Sequence, residues 1–299
     1  MTTVCVPSQA ARDRIQDLGV EVLVWDWRGE PPSGIERVEF LVPAYMGGSV
    51  PDAVVSTMSS LKVVQLLSAG FETWAPILPP GVRLCNGRGV HGASTAEIAV
   101  GGLINLVRDF PRLLDLQRAR TWNDDRTDGL AGKRVLVLGA GDIGARVATV
   151  MTALDATATL VGRTAREGVR TLADVPDLLP EHDVVVIALP YSPETHHLVD
   201  ATFLAAMPDG ARLVNVARGA LVDTEALLAE LAARRLSAFL DVTDPEPLPP
   251  DHPLWLAPNV LISPHIGGGT TGWVDRGLTL VHEQLACFLA GQPLTNVVS

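Results

Sequence analysis

The sequence predicts an α/β protein of two open, doubly wound domains, with the larger domain inserted between two parts of the smaller one. Three observations support this fold class. Short apolar stretches alternate with helical patterns, the alternation occurs in two separate series, and 299 residues suffice for two hydrophobic cores. The predicted organisation is a first part of the smaller domain at 1–92, the larger domain at 93–268, and a C-terminal helix at 269–299 that returns to the smaller domain.

The first third of the chain predicts a small parallel sheet of flavodoxin-like type. Apolar runs bounded by turn residues predict strands at Thr3–Pro7, Glu21–Trp25, Glu39–Val42, Lys62–Leu67 and Arg83–Cys85. Helices are expected between them at Gln9–Leu18 and Pro51–Ser60. A long helical pattern follows at Thr95–Arg120, interrupted near Pro111.

A second series of strands begins after a polar, aspartate-rich segment. Its predicted members are Arg134–Leu138, Ala158–Gly162, Val184–Leu189, Arg212–Val216, Ser237–Val242 and Val260–Ser263. Helical stretches such as Asp223–Arg234 separate them, and a final helix is expected from just after Gly269 to about Ala290. Because crossovers between parallel strands are right-handed and cover both faces, six such strands predict a doubly wound parallel sheet.

The composition restricts the class of protein. Hydrophobic residues make up 47% of the chain and charged residues 19%, as is typical of globular domains. The formal net charge is −11, so neither nucleic acid nor an anionic membrane is expected as a partner. Cys5, Cys85 and Cys287 lack CxxC spacing and are expected to be reduced thiols of a cytoplasmic protein without a metal site. The start of the chain shows no signal-peptide pattern, and the apolar run 98–107 is too short to cross a bilayer.

The most informative segment is RVLVLGAGDIG, which starts at Arg134. A buried strand, a glycine turn and a helix start follow one another in the order that a Rossmann-type dinucleotide-binding domain requires. The residues expected to hold the pyrophosphate are Gly139, Gly141, Asp142, Ile143 and Gly144. The helix that begins there presents unpaired N–H groups and a positive dipole end to the phosphates.

The end of the next strand indicates which nicotinamide cofactor is bound. NAD sites usually place an acidic residue here to bind the ribose hydroxyls, about 20 residues after the glycines. This chain has Gly162, Arg163, Thr164 and Arg166 instead, and these would suit a 2′-phosphate. The sequence therefore favours NADP, while NAD remains possible with Glu167 as the acid.

Three predicted strands of the larger domain are followed by side chains that could take part in catalysis. Ligands of open parallel sheets bind outside the carboxyl ends of the strands, where Arg218, Glu246 and His265 are expected. Arginine can hold a carboxylate, histidine can exchange a proton with an alkoxide, and glutamate can orient the imidazole. Beside a nicotinamide, this set predicts hydride transfer between a 2-hydroxy acid and a 2-oxo acid. Each residue taken singly is more typical of a capping, loop or surface position.

The remaining histidines lack such a setting, and we assign them structural roles. They are His91, His182, His196, His197, His252 and His282.

The sequence also resembles the D-isomer-specific 2-hydroxyacid dehydrogenases. The matching segments are LAGKRVLVLGAGDIG, ALPYSPETHHLV, NVARGALVDTEAL, DVTDPEPLPPDHPLW and PNVLISPHIGGGT, with weaker similarity in LLSAGFE and STAEIAVGGLINL. The resemblance implies that Arg218 is the catalytic, substrate-binding arginine, Glu246 the carboxylate partner and His265 the acid/base. It further implies that the N–H groups of Ala69 and Gly70 bind the substrate carboxylate.

The resemblance also bears on the cofactor and on assembly. It places Asp241 near the nicotinamide amide and implies a homodimer formed through the helix and arm near Thr95–Asp128. Further cofactor contacts are expected at Pro190, Thr195, Ala217 and Gly267.

The leading functional hypothesis is an NADP-preferring reductase of small 2-oxo acids such as glyoxylate, hydroxypyruvate or phenylpyruvate. Two alternatives stay open: a short 3-phosphoglycerate dehydrogenase, and a nicotinamide-sensing, corepressor-like binding protein. The substrate side chain is expected to contact Tyr45 and Met46, with Phe71 and Trp273 as further candidates, although the same residues would suit a core.

Overall fold

The chain folds into two units, each built on its own parallel β-sheet. The computed structural model describes residues 1–45 and 52–298. One unit comprises residues 1–91 and 270–299, and the other comprises residues 92–269. The ladders of both sheets are parallel, so the predicted class of two parallel-sheet α/β domains is confirmed.

The strands are β1 Thr3–Val6, β2 Glu21–Val24, β3 Val38–Leu41, β4 Val63–Gln65, β5 Arg83–Cys85, β6 Arg134–Leu138, β7 Thr157–Gly162, β8 Val169–Thr171, β9 Val184–Ile187, β10 Arg212–Asn215, β11 Ser237–Leu240 and β12 Val260–Ile262. The α-helices are α1 Gln9–Arg14, α2 Asp52–Val55, α3 Gly92–Val107, α4 Phe110–Arg118, α5 Asp142–Ala153, α6 Val175–Leu178, α7 Ala201–Ala206, α8 Thr224–Ala232 and α9 Trp273–Leu289. None of the helices in the described ranges is both long and apolar enough to cross a membrane.

The smaller unit has the strand order β2-β1-β3-β4-β5. Alternate side chains of a strand point to opposite faces of the sheet. Val4 and Val6 therefore pack in one cluster with residues of α1 and α9, while Cys5 packs on the other face with Trp25 and Val55. Both faces are covered, which is why these strands are apolar at consecutive positions.

The larger unit has the order β12-β11-β10-β9-β6-β7-β8. Val135 and Val137 face a core that includes residues of α3 and α5, whereas Leu136 and Leu138 face one that includes residues of α6, α7 and α8. The strand order reverses between β6 and β9. From β6 the chain adds β7 and β8 on one side, and it then returns to add β9 on the other side. In an open α/β sheet, ligands bind at the carboxyl ends of the strands that flank this switch point.

Two secondary-structure predictions need correction. The second sheet has seven strands, because the three-residue β8 pairs with β7 and is too short to show a period. The helical pattern at Thr95–Arg120 forms two helices, α3 and α4, and the interruption predicted near Pro111 lies at Asp109, whose φ is +51°. Of the helix predicted at Pro51–Ser60, only Asp52–Val55 is helical in the described residues.

The thiols of the smaller unit are protected by burial. Burial raises the pKa of Cys5 to about 12. It raises the pKa of Cys85 to about 11. Cys287 is partly exposed, and all three cysteines are free of disulfides. The first two therefore stay protonated at neutral pH and act as small apolar residues.

A buried amide network joins the C-terminal segment to the first sheet. The Nε2 of Gln284 in α9 donates to Oε1 of Gln65 in β4 (2.8 Å) and to the carbonyl of Thr295 (2.7 Å). Its Oε1 accepts from the backbone N–H of Thr295 (2.9 Å). Gln65 is 0% exposed and Gln284 is 2% exposed, so the hydrogen bonds compensate for the loss of hydration.

We predict that Gln284→Leu lowers the free energy of unfolding by about 2 kcal/mol, because it leaves Oε1 of the buried Gln65 without this donor. Urea unfolding followed by circular dichroism measures the loss. Gln117→Leu, at an exposed position of α4, is the matched control and should change stability little. Equal stability of the two variants would contradict the structural role of this network.

Candidate functional site

The glycine turn after β6 is shaped by two close backbone approaches. Gly139 has φ +124°, and a Cβ there would lie 2.3 Å from the carbonyl oxygen of Ala188, which follows β9. A Cβ on Gly144 would lie 1.7 Å from the carbonyl oxygen of Gly139. Only glycine fits both positions, since the first requires a left-handed backbone and the second lets α5 pack onto the turn.

Gly141 is different, because a Cβ there would meet no atom of the described part of the chain within 4 Å. It is the N-cap of α5, and Asp142 and Ile143 form the first turn of this 12-residue helix. The first N–H groups of a helix lack intrahelical acceptors and favour anions. Open space at this position and a helix N-terminus beside it fit the pyrophosphate of a dinucleotide.

The segment after β7 contains two arginines, of which one is hydrogen-bonded to the glycine turn and the other is exposed. Arg166 donates from Nη2 to the carbonyl oxygen of Ala140 in the glycine turn (3.0 Å). The side chain of Arg163 is exposed and makes no hydrogen bond or ion pair with any residue that the structure describes. Thr164 and Glu167 are exposed in the same segment, and the buried Gly162 ends the strand.

The loop after β9 is held by its own side chains. The hydroxyl of Thr195 accepts from the N–H of Ser192 (2.7 Å) and donates to the carbonyl of Pro190 (3.3 Å). Thr195 is only 8% exposed. The structure thus gives Thr195 a part in shaping the loop that lies beside Gly139, whereas a cofactor contact at Pro190 or Thr195 stays a prediction.

Arg218 is presented by a loop that Asn215 organises. Asn215 ends β10 and is 1% exposed, and its Oδ1 accepts from the N–H of Ala217 (3.1 Å) while its Nδ2 donates to the carbonyl of Arg218 (2.8 Å). Arg218 is partly buried, and its Nη1 donates to the carbonyl of Ala217 (2.7 Å). Sequence reasoning overlooked Asn215, although an amide at a strand end directly before an arginine loop is a usable signal.

Gly219 brings the arginine loop against the loop after β11. A Cβ at Gly219 would lie 1.9 Å from the carbonyl oxygen of Thr243. The hydroxyl of Thr224 also donates to the carbonyl of Asp244 (2.9 Å). The loop that bears Arg218 is therefore in direct contact with the segment that leads to Glu246.

Asp241 holds the loop that follows β12. It is 2% exposed, and its Oδ1 accepts from the hydroxyl of Ser263 (2.6 Å) and the N–H of Ile266 (3.0 Å). Its Oδ2 accepts from the N–H of Gly267 (2.8 Å), and its carbonyl accepts from the N–H of His265 (2.7 Å). The carboxylate is thus occupied by this loop, and the predicted contact of Asp241 with a nicotinamide amide stays a prediction.

His265 and Glu246 form a direct pair. The Nδ1 of His265 lies 2.5 Å from Oε1 of Glu246, and the two side chains are 38% and 39% exposed. His265 adopts φ +52°, a conformation fixed by the Asp241 contacts around it. With Nδ1 engaged by a carboxylate, Nε2 is the ring nitrogen left to exchange a proton with a ligand.

The smaller unit contains the loop that was expected to bind a carboxylate. The carbonyl of Ala69 accepts from Nδ2 of Asn86 (2.8 Å), and the carbonyl of Gly70 accepts from the hydroxyl of Ser68 (2.7 Å). The N–H groups of Ala69 and Gly70 have no acceptor among the described residues. Two adjacent unpaired N–H groups are suited to an anion.

Two of the residues predicted to line the substrate side-chain pocket are in contact. Tyr45 and Trp273 pack together, with ring centroids 4.5 Å apart. Phe71 is partly buried and packs against the core cluster on the opposite face of the sheet. Met46 lies outside the described residues. Among those residues, no group of three or more histidine, cysteine, aspartate or glutamate side chains could hold a metal ion.

The larger unit thus combines a glycine turn of the dinucleotide-binding type with a histidine–glutamate pair at the carboxyl ends of one parallel sheet. These are the parts of an oxidoreductase that transfers a hydride. The family model for the NAD binding domain of the D-isomer specific 2-hydroxyacid dehydrogenases matches residues 100–267.

Individual relatives agree with this match. The chain is 32% identical to a glyoxylate reductase of Aeropyrum pernix, over 93% of this chain and 90% of the relative. It is 29% identical to a D-3-phosphoglycerate dehydrogenase of Methanocaldococcus jannaschii, over 85% of this chain and 50% of the relative. Among solved structures, a D-isomer specific 2-hydroxyacid dehydrogenase from Xanthobacter autotrophicus, in complex with NADPH and MES, has 29% identity and a TM-score of 0.86, with 100% of this chain and 98% of that chain covered.

The chain belongs to the D-isomer specific 2-hydroxyacid dehydrogenase family. It is an NAD(P)-dependent oxidoreductase that acts on the CH–OH group of its donors, as the sequence predicted.

The contrast between two glycines tests the assignment of the turn. We predict that Gly141→Ala changes stability by no more than about 1 kcal/mol, the effect of alanine at an N-cap, because its methyl meets no atom of the described residues. It should weaken NADPH binding about tenfold or more by filling the ligand's space. Gly144→Ala should instead destabilise the fold, because its Cβ clashes with the Gly139 carbonyl. Fluorescence titration with NADPH and thermal unfolding separate the two effects. Unchanged NADPH affinity in Gly141→Ala would argue against a pyrophosphate at this turn.

Proposed function

We propose that this enzyme is an NADPH-preferring reductase of small 2-oxo acids, with glyoxylate and hydroxypyruvate as the first candidates. The observation that carries the cofactor preference is the exposed guanidinium of Arg163, at the strand end where NAD enzymes usually have an acid. The names of the relatives support the substrate class.

The surroundings of Arg163 favour a phosphate over a bare ribose. The side chain has no partner within the described residues, and Thr164 beside it offers a hydroxyl. Arg166 adds positive charge while it is held on the glycine turn. Glu167 lies further along the exposed segment, just before Gly168 turns the chain into β8, and it is the residue on which a preference for NAD would depend.

We predict that Arg163→Ala raises KM for NADPH by about 10- to 100-fold, the effect of one charge-assisted hydrogen bond to phosphate, and leaves KM for NADH nearly unchanged. Initial rates with both cofactors at saturating glyoxylate measure the ratio. Arg170→Ala, an exposed arginine on the neighbouring β8, is the matched control. Equal use of both cofactors by the unmodified enzyme would refute the proposed preference.

The His265–Glu246 pair supplies the proton of the reduction. A bound nicotinamide would supply the hydride. In the imidazolium form, Nδ1–H is held by Glu246 and Nε2–H is free to protonate the carbonyl oxygen as it becomes an alkoxide. After donation, Glu246 keeps the proton on Nδ1, so Nε2 is left as the base that oxidation of the 2-hydroxy acid requires.

Arg218 is proposed to bind the substrate carboxylate or carbonyl. Its backbone is fixed by Asn215 and by the approach of Gly219 to Thr243, so the side chain starts from a rigid loop. A guanidinium can donate two parallel hydrogen bonds to a carboxylate and polarise the neighbouring carbonyl. The N–H groups of Ala69 and Gly70 are proposed as further donors to a substrate carboxylate.

We predict that His265→Ala lowers kcat for reduction between about 100- and 10,000-fold, with NADPH affinity retained, because the variant lacks the proton donor. His282→Ala, whose imidazole pairs with Asp17 in the smaller unit, is the control and should keep full activity.

Initial rates of NADPH oxidation at saturating glyoxylate measure kcat, and fluorescence titration measures the affinity for NADPH. An unchanged kcat in His265→Ala would exclude His265 as the acid.

The predicted homodimer also stays a proposal. Helix α4 buries none of its residues, and Phe110, Leu114 and Trp122 are 42%, 46% and 97% exposed. Apolar surface of this kind marks interaction sites, and here it lies in the helix and arm that the sequence resemblance implied. A cytoplasmic location remains a prediction from the reduced thiols.

A further inference from the structure

His91, which the sequence left with a structural role, is buried beside the loop proposed to bind carboxylate. The ring is 7% exposed, and its Nε2 lies 2.9 Å from the carbonyl oxygen of Leu67. We propose that His91 is a positioning residue that fixes the substrate loop, defined here as Leu67–Gly70. This inference rests on the proposed function, since it assigns the loop's N–H groups to the substrate.

Each of the four carbonyl groups of the substrate loop accepts a hydrogen bond. The carbonyl of Leu67 accepts from His91, and that of Ser68 accepts from the N–H of Gly87 (2.6 Å). The carbonyls of Ala69 and Gly70 are taken by the Asn86 amide and the Ser68 hydroxyl. Three consecutive carbonyl groups are therefore bonded to residues outside the loop, and the fourth, that of Gly70, is bonded within it. The N–H groups of Ala69 and Gly70 have no acceptor among the described residues and are available to a ligand.

The bond from His91 is the first of these four. Because Leu67 O accepts it, Nε2 must carry the ring proton. Removing this donor releases the start of the loop, while the bonds from Gly87 and Asn86 hold its remainder. The expected result is a loop whose N–H groups are less well aligned, and hence a weaker carboxylate site in a protein that still folds.

The imidazole is itself held in place by two aromatic side chains. It stacks on Tyr45, with centroids 4.9 Å apart and planes at 22°, and contacts Trp273 at 5.6 Å. Trp273 begins α9, and in the same helix a Cβ on Gly277 would lie 3.2 Å from Cδ2 of Leu67. The substrate loop is thus braced against α9 both through the His91 ring and through Leu67 directly.

The test compares His91→Leu with His91→Gln. Leucine keeps the bulk and burial of the side chain without a donor, whereas the Nε2 of glutamine can replace that of histidine. We expect His91→Leu to raise KM for glyoxylate about tenfold or more, with KM for NADPH within twofold of the unmodified enzyme. His91→Gln should restore most of the affinity. If His91→Leu does not fold, Trp273→Leu should raise the same KM a few-fold through loss of ring packing.

His182→Leu is the matched control for a merely structural effect. His182 is also buried (3% exposed) and its Nδ1 lies 2.7 Å from the carbonyl oxygen of Leu178, but it belongs to the larger unit. It should lower stability without a selective change in KM for glyoxylate. If His91→Leu changes both KM values alike, or if glutamine fails to rescue, the positioning role is overturned.

Hydrogen exchange separates this inference from the proposed function. His91→Leu should increase amide exchange of the peptide that covers residues 67–71, and His91→Gln should not. This holds even if the unmodified enzyme reduces no 2-oxo acid, which would refute the proposed function alone. Unchanged exchange in His91→Leu would refute the positioning role whatever the substrate is.

Discussion

The proposed acid–base chemistry depends on the hydrogen bonds between the buried carboxylate of Asp241 and the loop that bears His265. Asp241 accepts three hydrogen bonds from the loop after β12, and its carbonyl accepts a fourth from the backbone of His265. A carboxylate that is 2% exposed would be costly to bury if these donors were absent. The donors therefore have to stay where they are, and the left-handed backbone of His265 is fixed with them. The imidazole is therefore already placed to contact Glu246.

The other loops at the carboxyl edge of this sheet are joined by close contacts between backbones. Gly139 admits the carbonyl of Ala188, and Gly219 admits that of Thr243. Each contact links a loop to that of another strand, so the turn after β6 is packed on the segment after β9, and the Arg218 loop on the segment before Glu246. Rigid placement of this kind is what hydride and proton transfer require, because small displacements are costly in rate. Buried side chains such as Asn215 maintain this placement through hydrogen bonds to the backbone.

Much of this arrangement could be predicted from the sequence. Consecutive apolar residues identify parallel strands covered on both faces, and strand order then brings Arg218, Glu246 and His265 to one edge. Strand β8 could not be found, since three residues show no period. The loop-holding contacts of Asp241 were also missed, because an acid at a strand end looks the same whether it meets a ligand or its own chain. The role of His91 was missed for a related reason. Its partner is the main-chain carbonyl of Leu67, and a hydrogen bond to the main chain cannot be predicted from the pattern of side chains.

The net negative charge of the protein explains why anion binding must depend on a few local groups. With a net charge of −11, the chain as a whole repels the anions that its family binds. We propose that the attraction comes from groups held in place by the fold: the first turn of α5, the guanidinium of Arg163, and the N–H groups of Ala69 and Gly70. Backbone N–H groups cannot move away as a long side chain can, and hydrogen bonds to the neighbouring carbonyl groups fix the direction in which they point. The hydrogen bonds that occupy the carbonyls of the substrate loop are thus as much a part of its proposed anion site as the N–H groups themselves.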